Sequence, residues 1–172
     1  WTGGVGPSNV TFVTFNVADA IPCIITNAAF ASVSRIGLNG PGGTLIITNG
    51  GSLVCGNPNE WNSIGMNDTG LMVVANGGSA SFGQHLWIGY DPGADGTLIM
   101  NGGTVSVTGM LGLGWGGGTG HAHINGGTLN LNQWSDSNPG SIAGASVLDV
   151  AGTGKVVING NWTASVSNYV SG

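Results

Sequence analysis

Charge is scarce in this sequence. Only 5% of its 172 residues are charged, against about 25% in ordinary globular domains. The cations are Arg35 and Lys155, the only glutamate is Glu60, and the net charge is −5. A nucleic-acid partner needs a basic stripe to neutralise phosphates, and two cations far apart in sequence cannot supply one. An anionic membrane surface is an equally poor match. No apolar run reaches the roughly 18 residues that a membrane span needs. No stretch sustains a helical apolar period, which argues against a helical domain. A leader segment and an initiating methionine are both missing, so a chain that opens on Trp1 reads as a mature or excised module of a longer protein. There are two cysteines, Cys23 and Cys55. They suit either one disulfide in an extracellular setting or two buried thiols acting as small apolar residues.

Glycine is abundant, and it is periodic. Asparagine followed by two small residues recurs at Asn27-Ala28-Ala29, Asn49-Gly50-Gly51, Asn76-Gly77-Gly78, Asn101-Gly102-Gly103 and Asn125-Gly126-Gly127, with a weaker copy at Asn159-Gly160-Asn161. The spacings of 22, 27, 25, 24 and 34 residues are those of a solenoid rung. Each rung carries three short apolar stretches. Before the asparagine come Ile46-Ile47, Val73-Val74, Leu98-Ile99 and Val156-Val157. After the glycines, Leu53, Cys55, Ala80, Phe82, Val105, Val107, Leu129 and Leu131 alternate with Ser, Thr and Asn, the period of a half-buried strand. The third stretch is Ile36-Gly37-Leu38, Ile64-Gly65-Met66, Ile88-Gly89-Tyr90 and Leu113-Gly114-Trp115. Asparagine suits the corner because it tolerates the left-handed conformation and its amide can bond to the next rung.

The expected fold is therefore all-β, a right-handed parallel β-helix of about five to six three-strand rungs with end caps. It forms one domain over residues 1–172. Residues 1–22, with a strand at Thr11 to Val17, cap one end, residues 23–159 form the rungs, and residues 160–172 cap the other end.

Function in a solenoid sits where a copy departs from the consensus. The segments preceding the third strand vary most: Asn57 to Trp61, Gln84 to Trp87, Thr108 to Gly112, and an insertion from Asn132 to Pro139. They place Trp61, Trp87 and Trp134 at one corner of successive rungs. Trp87 precedes inward-facing Ile88, so it points outward, between Ser63 and Gly112, whose small side chains leave the indole face open. An outward indole beside amide and imidazole groups suits a neutral sugar, whose C–H face stacks on the ring while its hydroxyls bond the polar groups. The expected binding residues are Trp61, Gln84, His85, Trp87, Asn132, Gln133, Trp134 and Asp136. The rise per rung, about 4.8 Å, is close to the advance per sugar of an extended β-linked chain, so a polysaccharide could run along the stack. Against this stands a structural reading, in which tryptophans plug corners and ends. Tyr90 and Trp115, in an inward column, read as core or corner filler, and Trp1 and Trp162 belong to the caps.

Catalysis finds little support. A uronate lyase needs a strong base with a neutralising partner, and Arg35 and Lys155 lie too many rungs apart. A glycosidase needs two carboxylates about 5 to 10 Å apart; Asp68 and Asp91 can stack in adjacent turns, with Glu60 nearby in sequence. The loop Asp91-Pro92-Gly93-Ala94-Asp95-Gly96 could hold Ca²⁺ through Asp91 and Asp95, or be an ordinary turn; no cofactor is otherwise expected. His121 and His123 point outward on one strand, with Thr97, Ile99, Lys155 and Val157 as expected neighbours and no third metal ligand among them. The glycines from Gly112 to Gly118 precede no helix and lack its anion-binding dipole.

The repeat Gly96-Thr97-Leu98…Gly102-Gly103-Thr104-Val105-Ser106-Val107 resembles the glycine-rich β-solenoid repeats of large bacterial extracellular proteins, over about residues 24 to 160. With its corner tryptophans and few acids, the chain also resembles non-catalytic carbohydrate-binding modules with a right-handed β-helix fold. Those modules are attached to plant cell-wall glycanases. The resemblance implies a secreted, non-enzymatic module that recognises a neutral polysaccharide such as xylan and belongs to a longer chain. A solenoid stalk or adhesin segment without a ligand is the first alternative. A polysaccharide lyase or glycoside hydrolase using Glu60, Asp68 and Asp91 is the second.

Overall fold

A computed structural model describes residues 11–15, 21–27, 30–40, 43–135, 146–159 and 162–163, with the backbone alone at residues 30, 133–135, 162 and 163. The described chain is all-β, without a helix, and its strands stack in parallel as a β-solenoid of about five turns.

Three strand columns make up the walls. The first runs through β2 (Cys23–Ile25), β5 (Thr44–Ile47), β8 (Thr69–Val74), the start of β11 (Asp95–Leu113), the start of β12 (Thr119–Ser135) and β13 (Val147–Val150). The second runs through β3 (Phe30–Val33), β6 (Ser52–Cys55), β9 (Ser79–Phe82), the middle of β11 and β12, and β14 (Lys155–Ile158). The third runs through β1 (Phe12–Phe15), β4 (Arg35–Leu38), β7 (Asn62–Ile64), β10 (Leu86–Ile88), the ends of β11 and β12, and β15 (Trp162–Thr163). β1 and β15, which the sequence assigns to the caps, are thus in-register layers of the third column. The remaining residues assigned to the caps lie outside the described residues, apart from Thr11, Ile21 and Pro22.

The interior is built as the alternation requires. All eight residues expected to face inward on the second strand are buried, with none more than 3% exposed. Large and small side chains interleave along a column: Ala80 pairs with Leu53 and Val105, and Cys55 with Phe82. A single turn cannot bury its own apolar side. Stacking does so at roughly 1.5–3 kcal/mol per large side chain removed from water. One buried amide interrupts this lining. Asn62, fully buried, accepts from the Ile36 amide at 3.1 Å and donates to the His85 carbonyl at 3.3 Å, tying three turns together.

At the corners, Asn27, Asn49 and Asn76 take positive φ, near 50 to 57°. At the next two corners the chain stays in strand through the bend, and the left-handed angle passes to Gly103 and Gly127. There asparagine acts through its amide, Asn125 Nδ2 donating to Asn101 Oδ1 at 3.0 Å. The final corner departs from expectation. The copy at Asn159 is not the equivalent position; Ala151-Gly152-Thr153-Gly154 turns there, with Gly152 at φ 58°. Val147 pairs with His121, restoring a spacing of 26 residues. Val156-Val157 therefore belongs to the second column, beside Leu129 and Asn130.

Both cysteines are free thiols, Cys55 buried and Cys23 half-buried. Burial pushes the Cys55 thiol up to about 12 and raises that of Cys23 as well.

Candidate functional site

The third column presents the site. In β10, Leu86 and Ile88 point into the core, so Trp87 points out, with Ser63 and Gly112 as its register neighbours, as the alternation predicts. Its indole is not open, however. Only 3% of Trp87 is exposed. Three strands of this column, β7, β10 and β11, are each followed by a glycine with positive φ: Gly65, Gly89 and Gly114, at 66 to 70°. A left-handed residue breaks the period-two alternation, so the next residue returns to the outer side. Tyr90 and Trp115 therefore leave the inward column assigned to them and pack on Trp87, with ring centroids 5.7 and 4.8 Å away. Trp61 meets the same indole edge-on at 6.0 Å, and His85 lies 5.2 Å away. The Cε3–Cζ3 edge of Trp87 covers Gly112 so closely that a Cβ there would sit 2.4 Å from both atoms.

Trp61 is the open ring of the cluster, 46% exposed. The loop that carries it is braced from three sides. Asn57 Oδ1 accepts from the Asn59 amide at 2.9 Å, Gln84 Nε2 donates to the Pro58 carbonyl, and Glu60 pairs with Arg35 at 3.0 Å. The Arg35 guanidinium also lies 3.7 Å from the centre of the Phe12 ring.

Phe12, Arg35 and Trp61 border a groove of about 230 Å³. Its floor is the outward column Thr14, Gly37, Ser63, whose register is continuous through β1, β4 and β7. Phe12, Arg35 and Trp61 form one wall, and Asn39 and Met66 the other. Trp87 is the next residue of the floor column and closes that end. Its Nε1 is buried and has no hydrogen-bond partner. Buried donors are nearly always paired, so this one stands out. A larger depression of about 410 Å³ lies over the first column, around Gly40, Thr44, Thr69 and Asp95. It has no aromatic ring, and the third column is the better site for that reason.

His85 has a defined protonation state. Its Nδ1 accepts from the Met110 amide at 2.8 Å, so the neutral ring carries its proton on Nε2. Burial lowers its pKa below the ordinary histidine value.

Of the expected binding residues, Trp61, Gln84, His85 and Trp87 come together. Asn132 is exposed but lies beyond Met110, on the far side of Trp87 from the groove. Gln133 pairs in backbone register with Met110, and Trp134 with Leu111. Trp134 thus occupies the Asn62–Leu86–Leu111 column rather than that of Trp87. Asp136 lies outside the described residues. Sequence reasoning missed Phe12, Arg35, Asn39, Met66 and the buried Asn62. Their common signal is small residues at Thr14, Gly37 and Ser63, visible only once β1 and β4 are in register.

The other candidate centres also changed. His121 and His123 stack at 6.0 Å with planes 5° apart. Their neighbours on one side are Thr97 and Ile99, as expected, but on the other they are Val147 and Asp149, with His123 Nδ1 3.8 Å from Asp149 Oδ2. Among the described residues no three His, Cys, Asp or Glu side chains form a metal-binding group. Asp91-Pro92-Gly93-Ala94 is a type II turn, its Asp91 carbonyl taken by the Ala94 amide and Gly93 at φ 85°. Asp68 does not stack on Asp91: its carbonyl accepts from the Asp95 amide, and its Oδ1 from the Thr69 amide at 2.7 Å.

Compared with protein families, with curated proteins and with solved structures, the chain finds no match in any of the three.

Proposed function

We propose that this solenoid is a secreted, non-catalytic carbohydrate-binding module. It takes a neutral polysaccharide on the outer face of its third strand column, with a plant cell-wall glycan such as xylan as the first candidate, and works beside a glycanase domain of a longer chain. The observation that supports this best is Trp61, a half-exposed indole at the rim of a groove, packed against Trp87 and Tyr90 and carried on a loop braced by three contacts. An indole fixed before binding loses little freedom on meeting a sugar, which favours affinity. The one cation in the groove is already paired with Glu60, which suits an uncharged ligand.

The roles differ from those expected at first. Trp61 supplies the stacking face. Trp87, being covered, supports it from beneath. His85, whose ring lies 6.5 Å from that of Trp61, offers its Nε2–H as a polar partner.

Affinity electrophoresis against xylans, glucans, mannans and pectins tests the reading. A neutral glycan retards the wild type, and Trp61→Ala abolishes the effect. Loss of that face costs about 1.5–3 kcal/mol, roughly 10- to 150-fold in affinity. No retardation by any glycan sinks the reading, and release of reducing sugar overturns its non-catalytic part.

A structural solenoid segment is the second reading, and the burial of Trp87 favours it. It gives no reason for an exposed, braced Trp61. The carboxylates of the enzyme reading are engaged separately, Glu60 by Arg35 and Asp68 by the Thr69 amide.

A further inference from the structure

We infer that the Glu60–Arg35 pair is the charge filter of this site: Glu60 neutralises the guanidinium at the groove, so that uncharged glycans are admitted and uronate-bearing ones turned away. The inference rests on the glycan reading above and names the residue that sets its preference for a neutral ligand.

Three observations carry it. First, the guanidinium is held at the groove. Phe12 and Arg35 are register partners on β1 and β4, and the guanidinium carbon lies 3.7 Å from the centre of the Phe12 ring. Such a cation–π contact covers one face of the group, while its N–H donors lie in its plane. Second, the pair can be reached. The Arg35 and Glu60 side chains are 36% and 41% exposed, and Arg35 lines the groove beside Trp61. Third, the pair stands alone. Among the described residues neither side chain has another ion-pair partner, and the chain's other cationic side chain, Lys155, lies on β14 in the second column. The charge that a ligand meets beside Trp61 is therefore decided by whether Glu60 offsets Arg35. A sugar carboxylate bonded to the same guanidinium would stand close to the Glu60 carboxylate, and the repulsion of like charges offsets the attraction. With that charge removed, Arg35 can take a uronate through two parallel charge-assisted bonds.

The test is affinity electrophoresis on matched polymers: glucuronoxylan and the same polymer with its carboxyl groups reduced to alcohols, and polygalacturonate and its methyl ester. It uses the wild type, Glu60→Gln, the double variant Glu60→Gln/Arg35→Gln, and Asp149→Asn. Glutamine keeps the size of the side chain and an oxygen that accepts from the guanidinium, but not the charge. The readout is the ratio of affinities within a pair, from which any general weakening by a looser Trp61 loop cancels. The wild type binds the neutral member more tightly. Glu60→Gln moves the ratio toward the acidic member by about two- to fivefold at low salt, the range for a half-exposed charge contact, and the shift fades at high salt. Replacing Arg35 as well removes it. Asp149→Asn makes the same change in net charge on the first column and leaves the ratio where it was.

A wild type that binds both members of a pair equally overturns the filter, and so does a Glu60→Gln ratio equal to that of the wild type. A shift that survives the loss of Arg35, or that Asp149→Asn reproduces, overturns it too. Each of these results leaves glycan binding itself intact, provided it still depends on Trp61. Failure of every polymer to retard the wild type overturns both proposals. The wild-type comparison needs no variant, so one that fails to fold does not remove the test.

Discussion

Gly112→Ala probes the aromatic cluster with a single methyl group. Gly112 lies in extended backbone within β11, where alanine is conformationally acceptable. Its Cβ would nevertheless stand 2.4 Å from Cε3 and Cζ3 of Trp87 and 3.5 Å from Cε3 of Trp115. The indole cannot swing aside freely, because Trp61, Tyr90 and Trp115 surround it. Overpacking of this kind costs about 1–3 kcal/mol. For a chain of this size that lowers Tm by roughly 2–4 °C per kcal/mol. The decisive assay is a double-mutant cycle by thermal melting. Trp87→Ala alone costs about 3–5 kcal/mol, but with the ring gone Gly112→Ala changes stability by no more than about 0.5 kcal/mol. The two sites are then coupled by about 1–3 kcal/mol. Equal cost of Gly112→Ala with and without Trp87 would refute the placement of the indole over this glycine.

Three further outcomes follow from other parts of the fold. His85 titrates below its ordinary value because burial disfavours its charged form. Its stabilising contribution is complete above about pH 6.5. It is lost as pH falls from there through the lowered folded value, since the unfolded chain takes up a proton that the folded one resists; melting curves of wild type and His85→Asn should converge in acid, and parallel pH profiles would contradict this. Asn76→Ala places a Cβ-bearing residue without a helpful amide at φ 49° and costs about 1–2 kcal/mol, whereas Asn76→Gly is nearly neutral; equal losses in the two variants would disprove the left-handed corner. Cys55, with its thiol pushed up to about 12, resists alkylation at pH 8 until the chain unfolds, and rapid labelling of the folded protein would show the thiol to be accessible.

The solenoid was legible because its signals are local. The Asn-Gly corners and the alternation at Ser79-Ala80-Ser81-Phe82 are properties of a few adjacent residues, and every inward assignment on the second strand held. Errors arose where a motif and the register disagreed. Asn159 copies the corner in letters, but Gly152 turns the chain there, and Lys155 and Val157 consequently sit one column away from the histidines. The direction of Trp87 was legible, while its burial was not. Covering it takes Tyr90 and Trp115, which are brought round by glycines whose sign of φ no alternation rule contains. The groove was hidden for another reason. Phe12 and Arg35 belong to layers with weak repeat signals, so only strand pairing reveals that they flank the same column as Trp61.

The alternation also separates two kinds of inheritance. Along the third column, Val13, Ile36, Leu38, Asn62 and Ile64 hold the turns together from within, while Thr14, Gly37, Ser63 and Met66 shape the groove from without. Consecutive positions in the chain thus answer to different selective pressures. A lineage could rewrite its outward letters one turn at a time, altering which ligand is welcome, while the inward letters went on specifying the same stack. The Trp87–Gly112 pair, by contrast, links neighbouring turns so tightly on the outer surface that a change at one position demands a change at the other.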